Sequence, residues 1–408
     1  MRRTTAAALA ATAIWSSAFA AADWTEFRGP GAVGRSDDAV PVEWSERENV
    51  SWTADLPGRG LSGPIVVDGR VVLTASDGSR GDRLLVLAFD ETTGKPLWRR
   101  QFWSTGNLSC HPKMCMATPT PASDGKLIAA FFSTNDLVCL DLNGDVRWIR
   151  GLTHDHRNAS NSVGMSSSPV IAGGAVVVQM ENEGDSFVAA VDVETGRTLW
   201  RSARPKKASW ASPVAIRKGG REWVLIQSSN GVSLVDPRTG EPAWTFERPC
   251  STIPTAAVDG DRVYVPGDGV LALQVGETGD PVVLWDSKKI RSGTSSPVLH
   301  KGRLYLLAGA ILVAADAETG EPVWRTRLEG AFSSTPVVAN DKLYAFNEDG
   351  LAFVVELGET EGRVAARNRM RPPGATDDAA GETILCSPAL ANGALFVRSD
   401  AHLWKIGR

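Results

Sequence analysis

Five thiol and imidazole side chains of the kind that hold a soft metal fall inside two short windows of this chain. Cys110, His111 and Cys115 lie in QFWSTGNLSCHPKMCMATP, residues 101 to 119, and His154 and His156 lie in RGLTHDHRNASNSVGMSSSP, residues 150 to 169. Thiolate and imidazole are the right donors for Zn²⁺ or copper, yet these spacings match no standard metal signature, so no metal ligand is assigned. In an oxidising compartment Cys110 and Cys115 can instead close a small disulfide loop. A third use is recognition. Here His111, His154, Asp155, His156, Arg157 and Asn158 form a polar rim for a protein, peptide or glycan. No Ser-His-Asp set or carboxylate pair can be argued from spacing, so no catalytic residue is assigned. Cys139, in LVCLDL, reads as a buried small hydrophobe. With Cys250 and Cys386 the total is five, so at least one thiol stays free or pairs elsewhere.

The elements that position these windows repeat. FDETTGKPLW, LDLNGDVRW, VDVETGRTLW, VDPRTGEPAW, LQVGETGDPVVLW and ADAETGEPVW each run from an apolar stretch through a polar turn to Trp98, Trp148, Trp200, Trp244, Trp285 and Trp324. A seventh copy, VELGETEGRVAAR, has lost its ring near Ala366. Between them a Pro follows small hydroxyl residues, at Pro64, Pro121, Pro169, Pro213, Pro254, Pro297, Pro336 and Pro388. The eighth Trp phrase stands at the other end of the chain, in NVSWTADL around Trp52. A repeat of roughly 40 to 50 residues with four short strands per unit predicts a ring of blades. The count closes only if the N-terminal strand completes the last blade, which also hides the sheet edges. The expected fold is therefore all-β: an eight-bladed β-propeller of four-stranded antiparallel blades.

In the third unit the pattern predicts strands at 168–172, 175–180, 187–192 and 198–202, divided by Gly173-Gly174, Glu183-Gly184 and Thr195-Gly196. The Pro strand is innermost, where small Ser, Thr and Ala suit a crowded axis, and the Trp strand is outermost. Each Trp is expected to cover the joint between neighbouring blades. Asp90, Asp141, Asp192, Asp236 and Asp316 are expected to cap their turns through nearby backbone N–H groups. Fourth-to-first connections and second-to-third turns share one face, so residues 101–119 and 150–169 lie together there. Long loops on a rigid ring are where binding sites usually sit. Residues 358 to 383 read as a mobile connection.

At the start, Arg2 and Arg3, an apolar stretch from Ala6 to Trp15, and Ala18-Phe19-Ala20 predict a signal peptide over 1–20, cleaved after 20 or 22. Residues 23–47 are expected to be an extension packed on the propeller, and 48–408 a single domain. The expected location is periplasmic or secreted, without a transmembrane segment or lipid anchor, and the core is expected to be monomeric. With Arg2 and Arg3 removed, 41 basic side chains face 47 acidic ones, a formal charge of −6. No Lys/Arg block stands out, so nucleic acid is not an expected partner.

The AxDxxTGxxxW phrase resembles the tryptophan-docking repeat of eight-bladed, pyrroloquinoline-quinone-like propellers, from about Trp44 to the C-terminus. The opening DWTEFRGPGAVGRS is similar to the start of exported bacterial propellers that mostly lack an assigned activity. The resemblance implies two functions. One is a non-catalytic binding or scaffolding role, as in the propeller lipoprotein of the outer-membrane barrel-assembly machinery. The other is a periplasmic oxidoreductase of the alcohol or sugar dehydrogenase type, with pyrroloquinoline quinone and Ca²⁺ on the axis. The dehydrogenases add a catalytic Asp, a Trp under the quinone and often an adjacent Cys–Cys disulfide. This chain has no adjacent cysteines, and its inner strands open on Ser, Thr, Ala and Gly, which are poor Ca²⁺ ligands. Binding or scaffolding is the expected function, with no cofactor assigned.

Overall fold

The structure, a computed structural model, describes residues 23–408 apart from 160, 161 and 377. The predicted signal peptide lies outside the described residues. Eight antiparallel sheets form the ring. In chain order the blades are 65–103, 122–151, 170–203, 214–247, 257–287, 298–327 and 337–369, followed by 389–407. This eighth blade has only three strands of its own, and its outer strand is Val50–Asp55, paired antiparallel with His402–Gly407. Among the described residues no helix is long and apolar enough to cross a membrane.

Alternation and short apolar runs bounded by glycine turns place the strands well. In the third blade they run Val170–Ala172, Ala175–Met180, Phe187–Asp192 and Thr198–Ala203. The first starts two residues later than expected, because the Ser168 amide donates out of its own blade, to Ser212 Oγ at 2.9 Å. The two middle strands of this blade are buried almost throughout and its outer strand is half-exposed. Every blade carries a register shift between its third and fourth strands, close to the Trp position. Such bulges re-aim a side chain, and this one turns the ring toward the next blade.

The Trp residues do cover the blade joints. Trp98 Nε1 donates to Leu142 O at 3.0 Å, Trp148 to Val193 O at 2.8 Å and Trp200 to Pro237 O at 2.9 Å. Trp52, from the closing strand, donates to Glu91 O of the first blade at 2.9 Å and so docks across the seam. The turn glycine of the next blade lies against the ring of Trp52, Trp98, Trp148, Trp200 and Trp285. Gly196 has φ +68°, and a Cβ there would stand 2.7 Å from Trp148, so only glycine fits. The turn aspartates cap as expected: Asp192 Oδ1 accepts from Thr195 N at 3.0 Å and Asp316 Oδ1 from Thr319 N at 3.0 Å.

Two features of the seventh blade depart from expectation. Residues 358–383 are not one irregular connection, because Gly362–Arg369 is the blade's full outer strand, paired with Leu351–Leu357. Backbone pairing holds it although the sequence has lost its Trp. The missing ring is supplied from elsewhere. Trp44 is 7% exposed, lies in one core cluster with Ala366 and Met370, and stacks on Tyr344 at 6.5 Å between centroids. Its amide donates to Asn368 Oδ1 at 3.1 Å. Trp44→Ala should therefore open a cavity at this joint and cost about 3 kcal/mol, read by denaturant titration. A loss below about 0.5 kcal/mol would show that Trp44 is not the substitute.

Residues 23–44 travel around the underside of the ring. Trp24 bridges to Val66 of the first blade and Thr25 O accepts from Ser123 N of the second. Arg28 donates to Ala256 O (3.1 Å) and Pro297 O (2.5 Å), in the fifth and sixth blades. Arg35–Ser36 pairs in parallel with the inner strand of the seventh, and Gly393 N of the eighth donates to Asp38 Oδ2.

Candidate axial binding site

Around the axis seven of the eight blades present one hydroxyl beside the inner strand, and those hydroxyls join the blades. Gly63 N donates to Thr120 Oγ1, Thr120 N to Ser168 Oγ, Ser168 N to Ser212 Oγ, and Ser212 N to Thr255 Oγ1. The chain continues from Thr255 N to Ser296 Oγ, Ser296 N to Thr335 Oγ1, and Thr335 N to Ser387 Oγ, all at 2.9–3.1 Å. Gly63, with no side chain, leaves the ring open at one joint. In the fifth blade the hydroxyl is Thr255 and the proline precedes it, so Pro254 stands one residue early in its phrase. Six of the seven hydroxyl residues are 2–5% exposed.

These hydroxyls floor a funnel of about 440 Å³ that opens on the long-loop face. Its walls are largely apolar: Leu61, Met114, Val163, Trp210, Ile253 and Leu385. Phe27, from the segment on the underside, closes the far end. His111 and Lys113 stand in the lining as well.

The two long connections form one cap over this mouth. His111 N donates to Val163 O at 3.0 Å, Ser109 Oγ to Ser162 O at 2.9 Å, and Trp210 Nε1 to Gly164 O at 3.0 Å. Arg59 fixes the cap from the first blade by donating to Met114 O (3.0 Å) and Pro112 O (2.9 Å). Lys113 Nζ reaches Glu348 of the seventh blade at 2.8 Å, and Ser333 Oγ donates to the same carboxylate at 2.7 Å. Burial opposes ionisation of Glu348, but the Lys113 and Ser333 bonds hold its carboxyl below the ordinary range.

Of the residues singled out by type, the structure brings only His111 into the funnel. His154 and Asp155 lie in the one-turn helix Leu152–Asp155 away from the mouth, and Asp155 is paired with Arg150. His156 packs on Phe187 at 4.3 Å and faces Asp185 at 3.7 Å; burial lowers its pKa. Arg157 is exposed, and Asn158 uses its backbone carbonyl to accept from Asp185 N at 2.8 Å. Asp155, His156 and Asn158 thus tie the outer part of the 150–169 loop to Arg150, Phe187 and Asp185. Among the described residues no three His, Cys, Asp or Glu side chains are grouped to hold a metal. The disulfide is not formed, and all five cysteines are free thiols. Cys110 Sγ donates to Met114 O and Cys115 Sγ to Arg59 O, at 3.4 and 3.8 Å, and burial raises both pKa values.

The hydroxyl ring, Trp210, Lys113 and Phe27 went unread as site residues. The signal for the ring was present, since a hydroxyl residue adjoins the proline in seven of eight phrases. It reads equally well as small-residue packing.

Pyrroloquinoline quinone with Ca²⁺ does not fit these residues. The funnel lining holds no carboxylate and no amide side chain, so it offers none of the charged oxygen ligands that Ca²⁺ prefers.

The profile of the family described as outer membrane protein assembly factor BamB matches residues 12–218, 162–249 and 278–376. The chain is 25% identical over 322 residues to the BamB protein of Yersinia pestis, covering 74% of this chain and 63% of that one. It thus spans less than two thirds of that relative's length. It is 28% identical over 346 residues to the dehydrogenase subunit of a quinone alcohol dehydrogenase from Gluconacetobacter polyoxogenes, covering 78% of this chain and 40% of the other. The crystal structure of BamB from Moraxella catarrhalis superposes with a TM-score of 0.63 at 17% identity, over 87% of this chain and 96% of that one. That likeness speaks for the fold.

Proposed function

Because the chain belongs to the family of the outer membrane protein assembly factor BamB, we propose that it is an exported, non-catalytic binding or scaffolding propeller. It works in the periplasm or outside the cell and engages a protein, peptide or glycan at the face carrying residues 101–119 and 150–169. The observation that supports this reading is the capped axial funnel. Two long loops from different blades are bonded to each other over a recess with apolar walls and a hydroxyl floor. That lining holds one basic residue and one imidazole but no acid, so it lacks the pairing that general acid–base chemistry needs.

Photo-crosslinking in a bacterial host tests the face. A benzoylphenylalanine at Lys113 or Ile253, on the mouth, should give discrete adducts, and one at Leu97 or Val283, on outer blade edges, should not. Adducts confined to the outer edges would overturn the proposal. The quinoprotein reading, favoured by the likeness to the alcohol dehydrogenase subunit, is tested separately. Reconstitution with pyrroloquinoline quinone and Ca²⁺ is expected to give no dye-linked oxidation of alcohols or sugars. Saturable oxidation would make the chain an enzyme.

A further inference from the structure

We propose that the funnel floor binds a carboxylate carried on an apolar body, without a metal ion. This rests on the reading of the funnel as a binding site and names the chemistry it selects.

Each ring hydroxyl already accepts a hydrogen bond from the neighbouring blade's amide. What it has left to offer is its own O–H. Among the described residues, Ser168, Ser212, Thr255, Ser296 and Thr335 make no hydrogen bond as donors, and all are at least 95% buried. A buried donor without an acceptor is costly, so the floor is a circle of O–H groups awaiting one acceptor-rich partner.

The charge beneath the floor selects the sign of that partner. Arg28 is 2% exposed and bonds only to carbonyls, those of Ala256 and Pro297, which directly follow the ring residues Thr255 and Ser296. Its Nε has no partner. No carboxylate is paired with it among the described residues, so its positive charge sits uncompensated in a dry site under the ring. Such a charge acts strongly at short range and favours an anion above it. At the mouth Lys113 is already paired with Glu348 at 2.8 Å, so the selecting charge is that of Arg28. A small free anion would leave the walls unused, because Leu61, Met114, Val163, Trp210, Ile253 and Leu385 offer apolar contact only. The complementary ligand has an oxyanion head on the axis and an apolar chain or ring against the walls. A free organic acid and the C-terminus of an apolar peptide both meet that description.

Calorimetric titration of the whole chain in the presence of EDTA tests this with four probes. These are 3-(indol-3-yl)propionate, its primary amide, and an acetylated Leu-Val-Leu-Phe peptide ending in a carboxylate or an amide. We expect at least one acid to bind at least tenfold tighter than its amide. Binding of the small acid identifies a free organic acid as the ligand type, and binding of the peptide acid alone identifies a chain terminus. Ser212→Ala should weaken the acid about tenfold and leave the amide within twofold. That Oγ also joins two blades, so a second variant is Ser212→Thr, which keeps the hydroxyl, as in Thr255 and Thr335 of the same ring, and should leave the acid within about threefold of wild type. Equal affinity for acid and amide, or no binding of any probe at millimolar concentration, overturns the proposal. If crosslinks from Lys113 and Ile253 persist in that case, the mouth still engages a partner and only the carboxylate chemistry fails.

Discussion

Replacing Glu26 by Gln should stabilise the protein in mild alkali and make almost no difference at pH 4.5 or below. Glu26 lies 7% exposed beneath the ring and accepts a hydrogen bond from Gly31 N at 2.8 Å. Burial pushes its carboxyl from an ordinary 4.5 up to about 8, outweighing the Gly31 and Ala32 amides, and Glu222 adds a smaller push in the same direction. A carboxyl whose folded pKa is raised binds its proton more tightly in the native state. Its contribution is complete below pH 4.5 and is lost as pH rises through 8. A glutamine keeps the acceptor for Gly31 and never ionises. Thermal and denaturant midpoints of wild type and Glu26→Gln should coincide near pH 4.5 and separate steadily above it. By pH 8 to 9 the variant gains roughly 3–5 kcal/mol. Parallel curves from pH 5 to 9 would mean that the wild-type carboxylate ionises in the folded state at no cost.

Ala54→Pro should break the ring at its seam. Leu56 N donates to Ala401 O at 2.7 Å, and alternate residues of a strand point the same way, so the Ala54 amide also faces the strand His402–Gly407. Proline removes that bond and costs about 3 kcal/mol or more locally. The loss spreads, because the same strand carries Trp52, whose indole docks on the first blade at Glu91 O. Unseating it exposes the edge of the eighth blade and the joint with the first. We expect a loss of at least about 4 kcal/mol, read by denaturant titration, together with a collapse in soluble yield. A midpoint shifted by less than the Trp44→Ala variant would show that closure contributes little.

The repeat was legible because its parts are local. Gly196 must turn, Asp192 must cap and Trp200 must cover, and each leaves a residue type at a fixed spacing. The closing strand was legible by counting, since Trp52 supplies the one phrase the end of the chain lacks. The site was less so. His154 and His156 have the side chains of ligands, yet the short helix and Asp185 turn them into supports for a loop. The hydroxyl ring depends on contacts between residues about 40 apart, such as Ser168 and Ser212, and nothing in either phrase announces the other. Trp44 and Arg28 act across hundreds of residues. Their roles follow from where the propeller leaves a gap, which no local pattern records.

Since the strand Val50–Asp55 is added to the sheet that ends at Gly407, the pairing that closes the ring joins two strands separated in sequence by all the other blades. Any nascent portion short of the final residues is an unsealed arc with two raw ends. The contact of greatest sequence separation therefore completes the native state, which places folding after synthesis and makes it slow relative to a chain of local contacts.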